Sequence, residues 1–251
     1  MVYLSSIINT HCHPDHCGGN AYFQKNFPGL TIHATHEEQP FIESTTLAPR
    51  CFCSLAAPFI GLQNKYIAPQ KPSTVTNPIH PYCDQIITIN NASFTILTLP
   101  GHTPGMIGII TPDNILYSGD ALFGESTIEK HPILFYTDIK NTLASFEKIK
   151  SLNVDGCVLV HGGVIYDVAT ITNQHIAKVI ETKDSILAFL QVQPLSIDEL
   201  TQQVMQKYTI GNNIISFTLT QTTVRAYLSY LESEKLIILT VSEGLLRAAV
   251  I

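Results

Sequence analysis

His11-Cys12-His13-Pro14-Asp15-His16 places four side chains able to bind a metal within six residues. On an extended segment residues i and i+2 point to one side, so His11 and His13 can close on a single ion. Pro14 cannot continue a strand ladder and turns the chain. Asp15 and His16 are then directed toward a second ion a short distance away. Neutral imidazole nitrogens and carboxylate oxygens are ligands for zinc and similar first-row divalent ions. A solvated polar loop is the plainer alternative. The clustering argues against it, because each His or Asp supplies the partner another needs on burial.

Three later segments repeat one plan. Gly101-His102-Thr103-Pro104-Gly105 follows the apolar run at 94–99, Ser118-Gly119-Asp120 follows a short strand pattern at 114–117, and His161-Gly162-Gly163 follows Val158-Leu159-Val160. Singly, a His beside Gly and Pro is most simply a turn residue. Together the segments deliver a ligand at the end of each strand, for a total of five His and two Asp. That number suits two ions sharing a bridging group, with positions left open for water.

The order HxHxDH, GHTPG, GD and HG resembles the metallo-β-lactamase superfamily over about the first 190 residues. The resemblance implies a four-layer αββα sandwich. It also implies that His11, His13 and His102 hold one metal, that Asp15, His16 and His161 hold the second, and that Asp120 bridges both. The reaction it implies is hydrolysis by a hydroxide shared between two divalent ions, with Asp15 and Asp120 as the catalytic carboxylates. Zinc is the expected metal, with iron or manganese as alternatives. His13 stands where an oxygen- or nitric-oxide-reducing di-iron branch has Glu, which favours the hydrolytic branch. The superfamily places several strands before its HxHxDH segment, and only ten residues precede His11 here. The expectation is an N-terminally short sandwich, with the strand near 6–9 open on one edge and weaker support for the metal loop.

The composition fits one large domain and a small one in 251 residues, with 45% hydrophobic residues. No apolar run reaches the roughly 18 residues of a membrane span. Six scattered Cys read as reduced thiols, and no leader pattern opens the chain, so the cytoplasm is the expected location. Cys12 alternates with His11 and His13 and is expected to point away from the ion. The net charge is −6 with only three Arg, so the basic stripe of a nucleic-acid enzyme is missing.

Strands are expected at 5–9, 30–34, 85–90, 93–99, 106–110 and 114–118, and helices at 18–26, 138–152 and 172–190. Thr35 is the expected cap of a short helix with Glu37 and Glu38 in its first turn. The Pro-rich segment 49–82 reads as an irregular insertion, placed to act as a lid or pocket wall. After residue 190 the texture changes. Helices at 196–208 and 219–233 followed by a hairpin turning at Glu243-Gly244 resemble a winged helix, giving a catalytic domain at 1–190 and a winged-helix-like domain at 191–251. That tail carries four basic residues against five acidic ones. Packing or homodimerisation is therefore favoured over nucleic-acid binding. The expected substrate is a small ester, thioester or lactone, although a glyoxalase-II-like thioesterase is disfavoured by the missing C-terminal basic cluster. The alternatives are an RNA-cleaving relative from the winged-helix branch and a truncated metal-binding protein without activity. His131, close after Asp120, is either a pocket residue or a loop residue. His33, His36, His80 and His175 are read as structural or surface residues.

Overall fold

A computed structural model of the protein describes residues 4–251. Strand β1 (Ser6–Ile8) runs into the metal-ligand loop, where Pro14 sits in the first turn of the short helix α1 (Pro14–Cys17). Pro suits that position, since its missing N–H would lack a helical partner there. Helix α2 (Asn20–Asn26) and strand β2 (Thr31–Thr35) follow. Thr35 ends β2, and the N-cap of α3 (Gln39–Ile42) is Glu38, so the cap lies three residues later than the spacing suggested. Helix α4 (Leu47–Cys51) precedes β3 (Asn77–Ile79), a parallel partner of β2 inside the stretch expected to be irregular. Strands β1, β2 and β3 form a parallel sheet in that order, with β1 at one edge among the described residues.

The second sheet orders β4 (Gln85–Ile89), β5 (Ala92–Thr98), β6 (Ile107–Ile110), β7 (Ile115–Tyr117), β8 (Gly156–Leu159) and β9 (Gly163–Ile165) consecutively. Its hairpin β4–β5 turns at Asn90-Asn91, both at positive φ, the backbone hand that matches strand twist. All pairs are antiparallel except β7–β8, whose connection contains α5 (Glu125–Lys130) and α6 (Ile139–Lys150). Alternation along the strands sorts the apolar residues into layers. Ile8, Ile79, Ile87, Ile96, Ile107 and Ile109 meet between the two sheets. Ile7, Ile32 and Ala34 pack on the other side with Cys17 and Ile42, and Leu97, Leu116, Cys157 and Leu159 pack toward α6 and α7 (Val168–Val192). The result is an α/β fold with mixed sheets in helix, sheet, sheet, helix layers.

The expected boundary at 190 falls two residues before the end of α7. Beyond it come β10 (Leu195–Ser196), α8 (Ile197–Lys207), α9 (Ile214–Ser233) and the hairpin of β11 (Ile237–Ser242) and β12 (Leu245–Val250). Ser196 and Glu199 close a reciprocal capping box at the start of α8. Helix α9 starts five residues earlier than position 219, capped by the Asn213 side chain. Leu200, Val224, Tyr227 and Leu231 join Phe146, Val179 and Leu190 in one continuous apolar cluster. The tail therefore shares its core with α6 and α7. No helix among the described residues is long and apolar enough to cross a membrane.

One backbone contact fixes the loops that carry Asp120 and His161. Gly124 donates to the His161 carbonyl at 2.7 Å, and a Cβ on Gly162 would lie 2.4 Å from the Gly124 Cα. Gly162→Ala should therefore destabilise the fold by about 1–3 kcal/mol through overpacking of two main chains. Thermal unfolding would read this, and an unchanged melting temperature would contradict so close an approach.

Candidate metal centre

Each of the seven sequence-derived ligand positions reaches one compact cluster. His11 and His13 leave the end of β1 on the same side, as the alternation requires, while Cys12 turns toward the apolar layer of Cys17 and Ile32. His102 sits on the turn between β5 and β6. Asp120 lies in a single helical turn after β7, and His161 follows β8.

The ligand atoms fall into two groups, His11–His13–His102–Asp120 and Asp15–His16–His161, each within 4.8 Å of one another. In the first, His13 Nδ1 lies 3.1 Å from His11 Nε2 and 2.8 Å from His102 Nε2. Asp120 Oδ2 lies 3.4 Å from His102 Nε2 and 3.9 Å from His11 Nε2. In the second, Asp15 Oδ2 lies 3.2 Å from His161 Nε2 and 3.6 Å from His16 Nε2. The other Asp120 oxygen, Oδ1, faces this group, 3.2 Å from His16 and 3.8 Å from His161. A tetrahedral ion with metal–nitrogen bonds of about 2.0–2.1 Å spaces its ligands roughly 3.3 Å apart. Both groups have that scale. His16 Nε2 and Asp120 Oδ1 are also buried without a well-formed hydrogen bond, as groups reserved for an ion would be. The residues present fit two divalent metals.

Protonation suits the same role. Burial, reinforced by the neighbouring imidazoles, pushes His102 down to about 3 and His11 well below its usual value. Burial also lowers His13. These rings are neutral at pH 7, the form that binds metal. His102 Nδ1 donates to the Phe135 carbonyl at 2.9 Å, which fixes its tautomer and leaves Nε2 free. His16 moves the other way: burial opposes its charge, but Asp120 and Asp15 outweigh it and raise the pKa. Burial likewise opposes ionisation of Asp120, yet His16, His102 and His161 hold it below the usual carboxylate range.

His175, read from the sequence as a structural or surface residue, is a buried structural support. Fully buried on α7, it accepts from the Phe123 amide at 2.8 Å and donates to the Ile171 carbonyl at 2.8 Å. Burial pushes it down to about 4. It fixes Phe123, whose ring lies 6.1 Å from both His102 and His161. Beyond the cluster opens a cavity of about 780 Å³ with Asp120 and His161 at one end and residues 208–223 along its far side. His131 lines it. None of residues 49–82 does, so the Pro-rich insertion is not the cavity wall; Gly61 packs instead against Ile214 at the start of α9.

Residues 4–47, which contain the HxHxDH segment, match the family profile described as "Metallo-beta-lactamase superfamily". The fold agrees with that of a metallo-beta-lactamase family protein from Thermus thermophilus, at a TM-score of 0.74 over 98% of this chain and 80% of that one, with 21% identity. The likeness to the metallo-β-lactamase superfamily thus lies in the segment that carries the HxHxDH residues and in the fold. Among curated proteins, hydroxyacylglutathione hydrolase GloC of Haemophilus influenzae is 32% identical over 122 residues, covering 48% of this chain and 50% of that protein. A beta-lactamase-like protein 2 homolog of Drosophila melanogaster is 26% identical over 163 residues, covering 64% and 46%. The chain spans half or less of the length of the curated relatives it matches.

Two tests follow from the cluster. His102→Ala and His161→Ala should each remove about one ion per chain, because they empty different groups; elemental analysis with both ions retained in both variants would refute the two-site division. The metal-free protein should also lose stability on acidification. His11, His13, His102 and His175 stay neutral when folded but take up protons near pH 6.5 when unfolded. Their contribution is complete above that pH and is lost as pH falls, down to about 4 for His175 and about 3 for His102, at about 1.4 kcal/mol per pKa unit. His16, with its raised pKa, has the opposite sign but stands alone among these five. A melting temperature that is flat from about pH 7 to about 4.5 in chelator-treated protein would contradict this balance.

Proposed function

We propose that this chain is a binuclear metal-dependent hydrolase acting on a small ester, thioester or lactone. The observation that carries the reading is Asp120, which turns one carboxylate oxygen to each ligand group at the end of an open cavity. Two divalent ions, zinc by ligand type, would be held by His11, His13, His102 and Asp120 and by Asp15, His16, His161 and Asp120. Bound there, they would lower the pKa of water toward about 7 and polarise the scissile carbonyl. Asp15 stands on the outer side of the cluster with its side chain 56% exposed. Its Oδ2 is turned to His16 and His161, so its second oxygen would hold the attacking water and take its proton. Phe123 and Phe135 flank His102 and would keep bulk water from the reacting carbonyl.

The cavity suggests what enters. Its lining is mostly apolar and hydroxyl-bearing, and Asp120 is the only carboxylate among the described residues that line it, whereas Lys130 brings positive charge. A compact acyl compound, with or without an anionic substituent, fits that chemistry. The tail, read as a winged-helix-like unit, supplies the far wall. RNA cleavage is the weaker reading, because Arg247, one of four basic residues after position 193, is paired with Glu199 at 2.8 Å. The test is turnover of the zinc-loaded chain against ester, thioester, lactone and RNA substrates. Acyl hydrolysis is expected. RNA cleavage that fades steeply with salt would transfer the assignment to phosphodiesters, and two bound ions without turnover would favour a metal-binding protein lacking activity. Leu219→Trp, on the cavity wall, should lower kcat/KM by about tenfold or more with metal content unchanged, an effect of about 1.4 kcal/mol or more. Equal kcat/KM would remove that wall from the substrate site.

A further inference from the structure

Glu38 is 1% exposed, yet no Lys, Arg or His among the described residues forms an ion pair with it. A buried carboxylate without a cation is costly unless hydrogen bonds replace its water. Here two backbone amides do so. Cys12 N–H donates to Oε2 at 2.9 Å, and Gly105 N–H donates to Oε1 at 2.8 Å. Cys12 is the residue between His11 and His13. Gly105 closes the turn that carries His102. One side chain thus joins the two main-chain segments that present all three imidazoles of the first group.

The same β2–α3 connection grips Gly105 a second time, through the Thr35 hydroxyl donating to its carbonyl at 2.8 Å. There is no slack in this contact. A Cβ on Gly105 would lie 2.5 Å from Thr35 Oγ1, 2.6 Å from Glu37 Cβ and 3.0 Å from Glu38 Oε1.

We infer that Glu38 is a positioning residue for the first metal: its carboxylate sets the spacing between the His11–His13 loop and the His102 turn without touching the ion. The inference rests on the two-metal reading above. Charge-assisted bonds from a carboxylate to backbone amides are about twice as strong as neutral ones, which suits a fixed strut. Glu38→Gln keeps the size of the side chain but leaves one oxygen for two amides, so an N–H must face an N–H. Removing a support of this kind commonly lowers metal affinity about 10–100-fold.

The experiment is competition of metal-free wild type, Glu38→Gln and Thr35→Val with a chromophoric zinc chelator, together with cobalt(II) absorption spectra and melting curves. The expected result is weakening of one of two ions by about 10–100-fold in Glu38→Gln, with an altered cobalt band. Thr35→Val, which leaves both amide bonds in place, should shift less. Wild type that binds no metal would refute the site itself. Wild type that binds two ions, with Glu38→Gln giving the same affinities and spectrum and only a lower melting temperature, would overturn the role of Glu38 alone. Should Glu38→Gln not fold, Glu38→Asp, whose side chain is one methylene too short to reach both amides, carries the test: a folded variant with both affinities and the spectrum of wild type would overturn the strut.

Discussion

The packing of Asp120 among imidazoles is the constraint on which the rest of the site depends. A carboxylate this buried is tolerable only if positive or polarised partners surround it, and four ring nitrogens stand within 4 Å of its two oxygens. Those rings and the carboxylate arrive from separate chain segments, so the sheets must hold the ends of β1, β5, β7 and β8 together before any chemistry is available. The apolar layer between the sheets and the layer beneath α6 and α7 supply that rigidity. In turn, the cluster is a place where folding has not satisfied every polar group. The orphaned His16 and Asp120 atoms are the local cost of keeping the site ready for a ligand.

What was legible in the sequence was what short-range chemistry encodes. Period-two alternation placed His11 and His13 on one side and Cys12 on the other. Strand patterns ending in Gly-rich turns delivered His102, Asp120 and His161. The Glu243-Gly244 turn announced its hairpin through residues that both adopt positive φ. Glu38 and His175 left no such trace, because their partners lie 67 and 52 positions away along the chain. A Glu beside a short apolar helix and a His within an amphipathic one look like ordinary surface and packing residues until the fold brings an amide to each. The Pro-rich insertion misled for a related reason. Its composition announced irregular backbone correctly in part, but gave no sign of which side of the molecule it would cover.

The histidines show how the same residue type divides by surroundings. Those at strand ends meet other imidazoles and a carboxylate, and keep a nitrogen free. His175 meets two backbone groups, uses both nitrogens, and has nothing left to give a metal. Sequence alone ranks these residues by their neighbours in the chain, whereas the structure ranks them by what each ring nitrogen faces.

The continuous core joining α7 to the tail has a consequence for how such a protein can diverge. The floor of the cavity is held by interlocked main chain and metal-binding groups, where almost any change disturbs several others. Its far side is built from the turn between α8 and α9 and the first half of α9, whose later turns are anchored in the core by Val224, Tyr227 and Leu231. Drift in the turn can reshape the cavity while the anchoring residues stay fixed. Novelty in what the pocket accepts therefore arises most readily at positions 208–223, and least readily at the strand ends.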